Sequence, residues 1–145
     1  MTVKRVSPHE ANRLVREEGY AYLDVRSVPE FEAGHPPDAY NVPIMHQTAA
    51  GMAPNGDFME VITAVFDRST KLVIGCRSGN RSLHAAQLLL AAGYEYVVDQ
   101  RAGLAGARNA FGQLEEPGWE AVGLDMATEP HPERHYGALL IRRNG

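Results

Sequence analysis

The stretch that most constrains this chain runs from Leu72 to Ser82, with the sequence LVIGCRSGNRS. Its first residues are apolar or small and two are β-branched, which favours a short buried strand. A polar turn follows, and then a leucine- and alanine-rich run from Leu83 to Ala92 that favours a helix. This order places Cys76, the only cysteine, where the strand ends, and Arg81 where the helix begins.

The surroundings predicted for Cys76 suit a nucleophile. Successive backbone N–H groups of Ser78, Gly79 and Asn80 can point into one concavity, and the helix N-terminus adds roughly half a positive charge there. Such a concavity binds anions and, with the neighbouring arginines, stabilises a thiolate over a thiol. The alternative is an inert cysteine packed in the core. Two arginines and a glycine close to the cysteine favour the reactive thiol.

The segment Cys76–Ser82 resembles the active-site loop of rhodanese-type sulfurtransferases, in which a cysteine carries a transferable sulfur as a persulfide. Further similar segments are YLDVR at 22–26, EFEAGH at 30–35 and AYNVP at 39–43. Together the similar segments cover about residues 5 to 124, so coincidence at one motif does not explain them. The resemblance implies an α/β rhodanese-like fold with a mostly parallel central sheet of about five strands flanked by helices.

The loop length separates two branches of this fold. Four residues lie between Cys76 and Arg81, whereas the related phosphatases and arsenate reductases have five, which enlarges the loop for a tetrahedral oxyanion. The longer spacing would need an arginine where this chain has Ser82. Sulfur transfer is therefore favoured over phosphatase or arsenate reductase chemistry. A persulfide carrier that docks on a partner protein, which would be the sulfur acceptor, stays open as a second alternative.

The resemblance implies a two-step reaction at Cys76 with no metal or organic cofactor. The thiolate takes a sulfane sulfur from a small anionic donor such as thiosulfate, and the persulfide passes it to cyanide or a thiol. The loop residues expected to bind the substrate are Arg77, Ser78, Gly79, Asn80, Arg81 and Ser82. We expect the Arg77 side chain to steer the donor and Arg81 to brace the loop.

Three other polar residues are candidates for a role in the site. Asp24 and Arg26 follow a predicted strand over 20–25, and parallel strands share the edge where their carboxyl ends meet. For this pair a structural role is favoured over substrate contact. His35 is also expected to be structural, because a thiolate stabilised by the loop needs no histidine base.

At 145 residues, 44% of them hydrophobic, the chain suits one domain. We expect a rhodanese-like domain over residues 1–125, with an insertion at about 104–116, and a C-terminal extension over 126–145. The insertion follows the carboxyl end of a strand, so it should lie at the active-site edge. Residues 46–56 are expected to be loose, and the apolar run 136–141 to pack against the domain or pair as an edge strand.

Charge and cysteine content limit the other function classes. The net charge of −4 gives no sign of a nucleic-acid surface. One cysteine excludes an internal disulfide and a multi-cysteine metal site, and it fits a reducing compartment. The N-terminus lacks an apolar signal-peptide core, and no apolar run approaches the roughly 18 residues of a membrane span. We therefore expect a cytoplasmic protein with no nucleic-acid or membrane partner.

Overall fold

The computed structural model describes residues 2–144, and within that range the chain forms nine strands and five helices. The strands are β1 Lys4–Val6, β2 Ala21–Asp24, β3 Tyr40–Asn41, β4 Met45–Thr48, β5 Gly51–Pro54, β6 Leu72–Gly75, β7 Val97–Gln100, β8 Ala107–Arg108 and β9 Leu114–Glu116. The helices are α1 Pro8–Glu17, α2 Val28–Ala33, α3 Phe58–Val65, α4 Asn80–Ala91 and α5 Tyr136–Asn144.

Five strands form the central sheet, in the order β1-β7-β6-β2-β3, and every pairing is parallel. The middle strand, β6, is buried along its whole length, which explains its unbroken apolar sequence. The expected α/β fold with a parallel sheet of five strands is confirmed. In the register of this sheet Asp24 lies opposite Gly75, so β2 and β6 end together directly before Cys76.

The two faces of the sheet bury different cores. Tyr22 and Val73 face one side, where α1 and Trp119 pack. Leu23 and Ile74, each the next residue in its strand, face the other side, where α3, α4 and α5 pack. This alternation is the two-residue period of a strand, and it places helices on both faces of a parallel sheet.

Residues 46–56 are not loose, so that expectation is wrong. β4 and β5 pair antiparallel as a hairpin, from Met45 opposite Pro54 to Thr48 opposite Gly51. The Thr48 hydroxyl donates to the Gly51 carbonyl at 2.6 Å, and Gly51 has a φ of 112°, which favours glycine. Most of the hairpin's residues are exposed or half-buried, so the sequence lacks the hydrophobic alternation that would indicate strands.

The apolar run at 136–141 packs against the domain as expected, but as a helix; the alternative of an edge strand is wrong. It forms α5, in which Tyr136 and Leu139 are buried in the core that also contains α3. Their spacing of three places both on one helical face. The boundary expected between a domain ending at 125 and an extension from 126 stays a prediction.

The first strand, β1, was not expected from the sequence. It has three residues, of which Val6 alone is buried, so it carries no periodic signal of its own. Its partner is β7, with Arg5 opposite Asp99. Along residues 2–144, no helix combines the length and hydrophobicity needed to cross a membrane.

Candidate active site

The Cys76 sulfur lies between the end of β6 and the N-terminus of α4. The backbone N–H groups of Gly79 and Ser82 donate to Sγ at 3.1 and 3.3 Å. The thiol also contacts the Ser82 hydroxyl oxygen at 3.3 Å. Cys76 is 1% exposed, so these polar groups stand in for water around the sulfur. The N–H groups and the helix dipole point their positive ends toward the sulfur.

Gly79 makes this turn possible. It is the residue before α4 and has a φ of 98°, in the left-handed region that glycine adopts without strain. A Cβ at this position would collide with the backbone carbonyl of Arg101. The loop can therefore approach the end of β7 closely and still aim its N–H groups at the sulfur.

Arg81 forms an ion pair with Glu30 of α2. Its two terminal nitrogens donate to the two carboxylate oxygens at 2.7 and 2.9 Å. Burial raises the pKa of Glu30, but hydrogen bonds from Arg81 and Ser27 outweigh it and bring the value to about 2. The pair ties the start of α4 to α2, which is a bracing geometry for the loop.

Arg77 is exposed and lines two cavities. One, of about 340 Å³, also includes Arg26 and Glu120 in its lining. The other, of about 480 Å³, is lined also by Ser78 and by Met52 of the β4–β5 hairpin. Within residues 2–144, no carboxylate oxygen lies within 4.0 Å of the Arg77 guanidinium. Its positive charge is thus presented to the space beside the loop.

Asp24 and Arg26 form a buried pair at the end of β2. The Arg26 guanidinium donates to the Asp24 carboxylate at 2.7 Å and to the Gly34 carbonyl at 2.6 Å. Burial lowers the pKa of Arg26, and the Asp24 carboxylate more than offsets this, so the net pKa is raised. The two charges hold each other and the following turn, which is the structural role favoured from the sequence.

His35 is buried, and its ring stacks on Phe31 with centroids 3.9 Å apart. Its Nδ1 lies 2.8 Å from the Phe31 carbonyl oxygen. Its backbone also pairs with Ala127. These contacts belong to the packing between α2 and the C-terminal segment, as expected for a structural histidine.

The expected insertion begins beside the loop, at the active-site edge. The Leu104 N–H donates to the Cys76 carbonyl at 2.9 Å, and the Ala105 N–H to the Arg77 carbonyl at 2.8 Å. The insertion then forms the β8–β9 hairpin, which Arg101 ties down by an ion pair with Glu116 at 2.8 Å. The hydrogen bonds from Leu104 and Ala105 hold the Cys76 and Arg77 carbonyl groups of the loop in place.

Sequence reasoning missed the buried layer beneath the loop. The Tyr22 ring packs where a side chain on Gly75 would otherwise lie, and burial raises the pKa of its hydroxyl well above the usual range. Arg5 and Asp99 form an ion pair at 2.7 Å between β1 and β7. The one available signal was Asp99 itself, a carboxylate after two valines in a strand otherwise expected to be buried.

The arrangement supports nucleophilic chemistry by one buried sulfur that accepts hydrogen bonds from two backbone N–H groups. Across residues 2–144, no three His, Cys, Asp or Glu side chains are grouped so that they could hold a metal ion. The positive groups that face the loop instead come from Arg77, Arg81 and the backbone.

Residues 7–110 match the family model for a rhodanese-like domain. Thiosulfate sulfurtransferase 16, chloroplastic, from Arabidopsis thaliana is 46% identical over 81 residues, which are 56% of this chain and 68% of the relative. Senescence-associated protein DIN1 from Raphanus sativus is 41% identical over 92 residues, 63% of this chain and 50% of the relative. The chain thus spans half the length of that relative.

The fold has a solved counterpart in the crystal structure of Rv0390 from M. tuberculosis. The two superpose with a TM-score of 0.72 at 26% identity, covering 89% of this chain and 100% of the other. The similarity therefore includes the whole of that chain.

Because one relative is named chloroplastic, the cytoplasmic location expected for this chain stays a prediction.

Proposed function

The chain belongs to the rhodanese-like domain family, and on that premise we propose that it is a sulfurtransferase acting through a persulfide on Cys76. In the first step the Cys76 thiolate attacks the outer sulfur of a donor such as thiosulfate. A bond forms between the two sulfurs, and sulfite leaves with the electron pair of the broken sulfur–sulfur bond. In the second step cyanide or a thiolate takes the outer sulfur, which restores the Cys76 thiolate.

The observation that carries this proposal is the pair of N–H groups on the sulfur. Gly79 and Ser82 donate to Sγ in a buried site at the N-terminus of α4. Donors already in place stabilise negative charge more than water does, because they need no reorganisation during the reaction. Both steps begin and end with an anionic sulfur, so the same donors serve the whole cycle.

The other loop residues have separate roles in this proposal. The Arg77 guanidinium attracts the anionic donor through the cavity beside the loop. Ser78 lines that cavity, and with Asn80 it contributes backbone N–H groups to the anion-binding turn. Arg81 braces the loop from its ion pair with Glu30.

Intact-mass measurement after incubation with thiosulfate tests the first step. We expect the mass to rise by one sulfur atom, and cyanide or dithiothreitol to remove the added sulfur. The control is Cys76→Ser, which replaces one sulfur by oxygen and removes the chain's only thiol. A sulfur adduct on that variant, or no adduct on the wild type with either thiosulfate or mercaptopyruvate, would contradict the proposal.

A persulfide carrier for a partner protein is a second candidate, favoured by the β8–β9 hairpin. Its tip exposes Phe111 at 87% and its second strand exposes Leu114 at 52%, while its root contacts the Cys76 loop. Exposed apolar side chains of this kind are typical of contact surfaces. A persulfide that forms stoichiometrically but is not turned over with cyanide would favour the carrier. Steady turnover with thiosulfate and cyanide would favour the enzyme.

A further inference from the structure

A series of polar contacts lies beneath the Cys76 sulfur. Sγ contacts the Ser82 hydroxyl at 3.3 Å. The Ser82 hydroxyl lies near the Asp99 carboxyl, and no hydrogen bond joins these two side chains. Arg5 Nε donates to Asp99 Oδ2 at 2.7 Å, and Arg5 Nη2 donates to the Gly79 carbonyl at 3.1 Å. The Gly79 N–H in turn donates to Sγ at 3.1 Å. These contacts connect β1 and β7 to the Cys76 loop.

Asp99 is the unusual member of this set of contacts. It is fully buried, and its Oδ1 has no hydrogen-bond partner within residues 2–144. Burial raises the pKa of Asp99, and the neighbouring Ser82 hydroxyl and Arg5 oppose that rise. A buried carboxylate oxygen without a full partner is costly, so Asp99 competes for any proton donor beside it.

The Ser82 hydroxyl has one proton and lies beside two acceptors, the sulfur at 3.3 Å and the Asp99 carboxyl, to which it makes no hydrogen bond in this structure. When Cys76 is a thiol, the S–H can donate to the Ser82 oxygen and the hydroxyl proton can face Asp99. When the sulfur is a thiolate or a persulfide, it needs that same proton. Arg5 controls which acceptor receives this proton, because its guanidinium neutralises Asp99 and weakens the attraction of the carboxylate for the hydroxyl proton.

We propose that Arg5 is a positioning residue for the sulfur: by pairing with Asp99 it releases the Ser82 hydroxyl to the anionic sulfur, and by binding the Gly79 carbonyl it aims the Gly79 N–H. The proposal rests on Cys76 reacting as an anion, as in the proposed function, but not on the identity of the donor. Arg5 acts from β1 through its contacts with Asp99 and with the Gly79 carbonyl.

Other charged groups also face the sulfur and stay constant in the test. Tyr22 of β2 and Arg81 of α4 are close enough to Cys76 to interact with its charge. Asp24 and Arg26 neutralise each other at the end of β2. Arg77 lies in the loop itself. None of these is altered by a change at Arg5 or Asp99.

The ratio of thiolate to thiol at Cys76 tests the proposal without any sulfur donor. This ratio is measured from the ultraviolet absorbance of the thiolate across a pH series. Subtracting the Cys76→Ser spectrum leaves the signal of the single cysteine. For Arg5→Gln we expect the ratio at a fixed pH to fall about tenfold, the size of one hydrogen bond to a charged group. For Asp99→Asn we expect it to rise, because the competing carboxylate is removed. Arg5→Lys keeps the charge and should recover part of the ratio.

Two controls separate this role from a general loss of structure. Arg13→Gln breaks an exposed ion pair on α1 and should leave the ratio unchanged. Ser82→Ala removes the shared hydroxyl, so adding Asp99→Asn to it should change the ratio much less than in the wild type. Circular dichroism of each variant checks that it is folded.

Opposite shifts for Arg5→Gln and Asp99→Asn support the proposal. Shifts in the same direction, or an Arg5→Gln ratio equal to that of Arg13→Gln, overturn it. An effect of Asp99→Asn that is undiminished in the Ser82→Ala background overturns the route through the hydroxyl. If the ratios shift as expected while thiosulfate loads no variant, the proposed sulfur transfer fails and the role of Arg5 stands.

Discussion

Replacing Glu30 with glutamine removes the counter-charge of Arg81 and keeps nearly the same side-chain shape. The glutamine oxygen can still accept from the Ser27 N–H and hydroxyl, which Glu30 contacts at 3.3 and 2.9 Å. The variant therefore removes the charge of the ion pair while it leaves the start of α2 capped. We expect it to destabilise the fold and to loosen the start of α4.

The magnitude follows from the pKa of Glu30. Lowering that pKa from 4.5 to about 2 corresponds to about 3.4 kcal/mol of stabilisation. The Arg81 and Glu30 side chains are 20% and 24% exposed, so solvent screens part of this energy. We expect the free energy of unfolding near neutral pH to fall by about 1 to 2 kcal/mol.

The pH dependence gives the sign of the effect. A carboxyl with a lowered pKa stabilises the fold above its unfolded value of 4.5, and this stabilisation is lost as the pH falls through about 2. The free energies of unfolding in urea of wild type and Glu30→Gln should differ near neutral pH and converge as the pH falls from 4.5 to about 2. The control is Glu32→Gln, an exposed residue of the same helix. A deficit equal to that of the control, or one that persists unchanged in acid, would refute the reasoning.

Two further substitutions test the packing and the charge of the site. Gly75→Ala places a methyl group against the Tyr22 ring and should lower the free energy of unfolding in urea by about 1 to 3 kcal/mol. The loss should be smaller in a Tyr22→Phe background, and an unchanged loss would argue against the clash. Arg77→Ala should raise the KM for thiosulfate several-fold and leave the urea midpoint unchanged, since its guanidinium faces a cavity. An unchanged KM would exclude the steering role.

The centre of the site was predictable because its signal is local. A strand, a cysteine, a glycine-containing turn and a helix lie within a few residues in the sequence, and the backbone of such a turn can hardly avoid pointing N–H groups at the cysteine. Of the expected N–H groups of Ser78, Gly79 and Asn80, the structure has Gly79 donating to Sγ, and the second donor is the N–H of Ser82. The hairpin at β4–β5 and the helix α5 were not predictable in the same way. The hairpin lacks hydrophobic alternation, and the six-residue apolar run that begins α5 suits a strand as well as a helix.

The sequence by itself determined the parallel α/β fold, through its resemblance to a known family. It also determined the chemical character of the Cys76 loop, because strand, turn and helix are adjacent in the chain. Only the tertiary structure decided which side chains support that loop. Glu30 lies 51 positions before Arg81, and Arg5 lies 94 positions before Asp99. These contacts depend on the order of the strands in the sheet, in which β1 adds beside β7. A pattern of residues along the chain carries no record of that order, so the contacts beneath the sulfur appear only once the sheet is assembled.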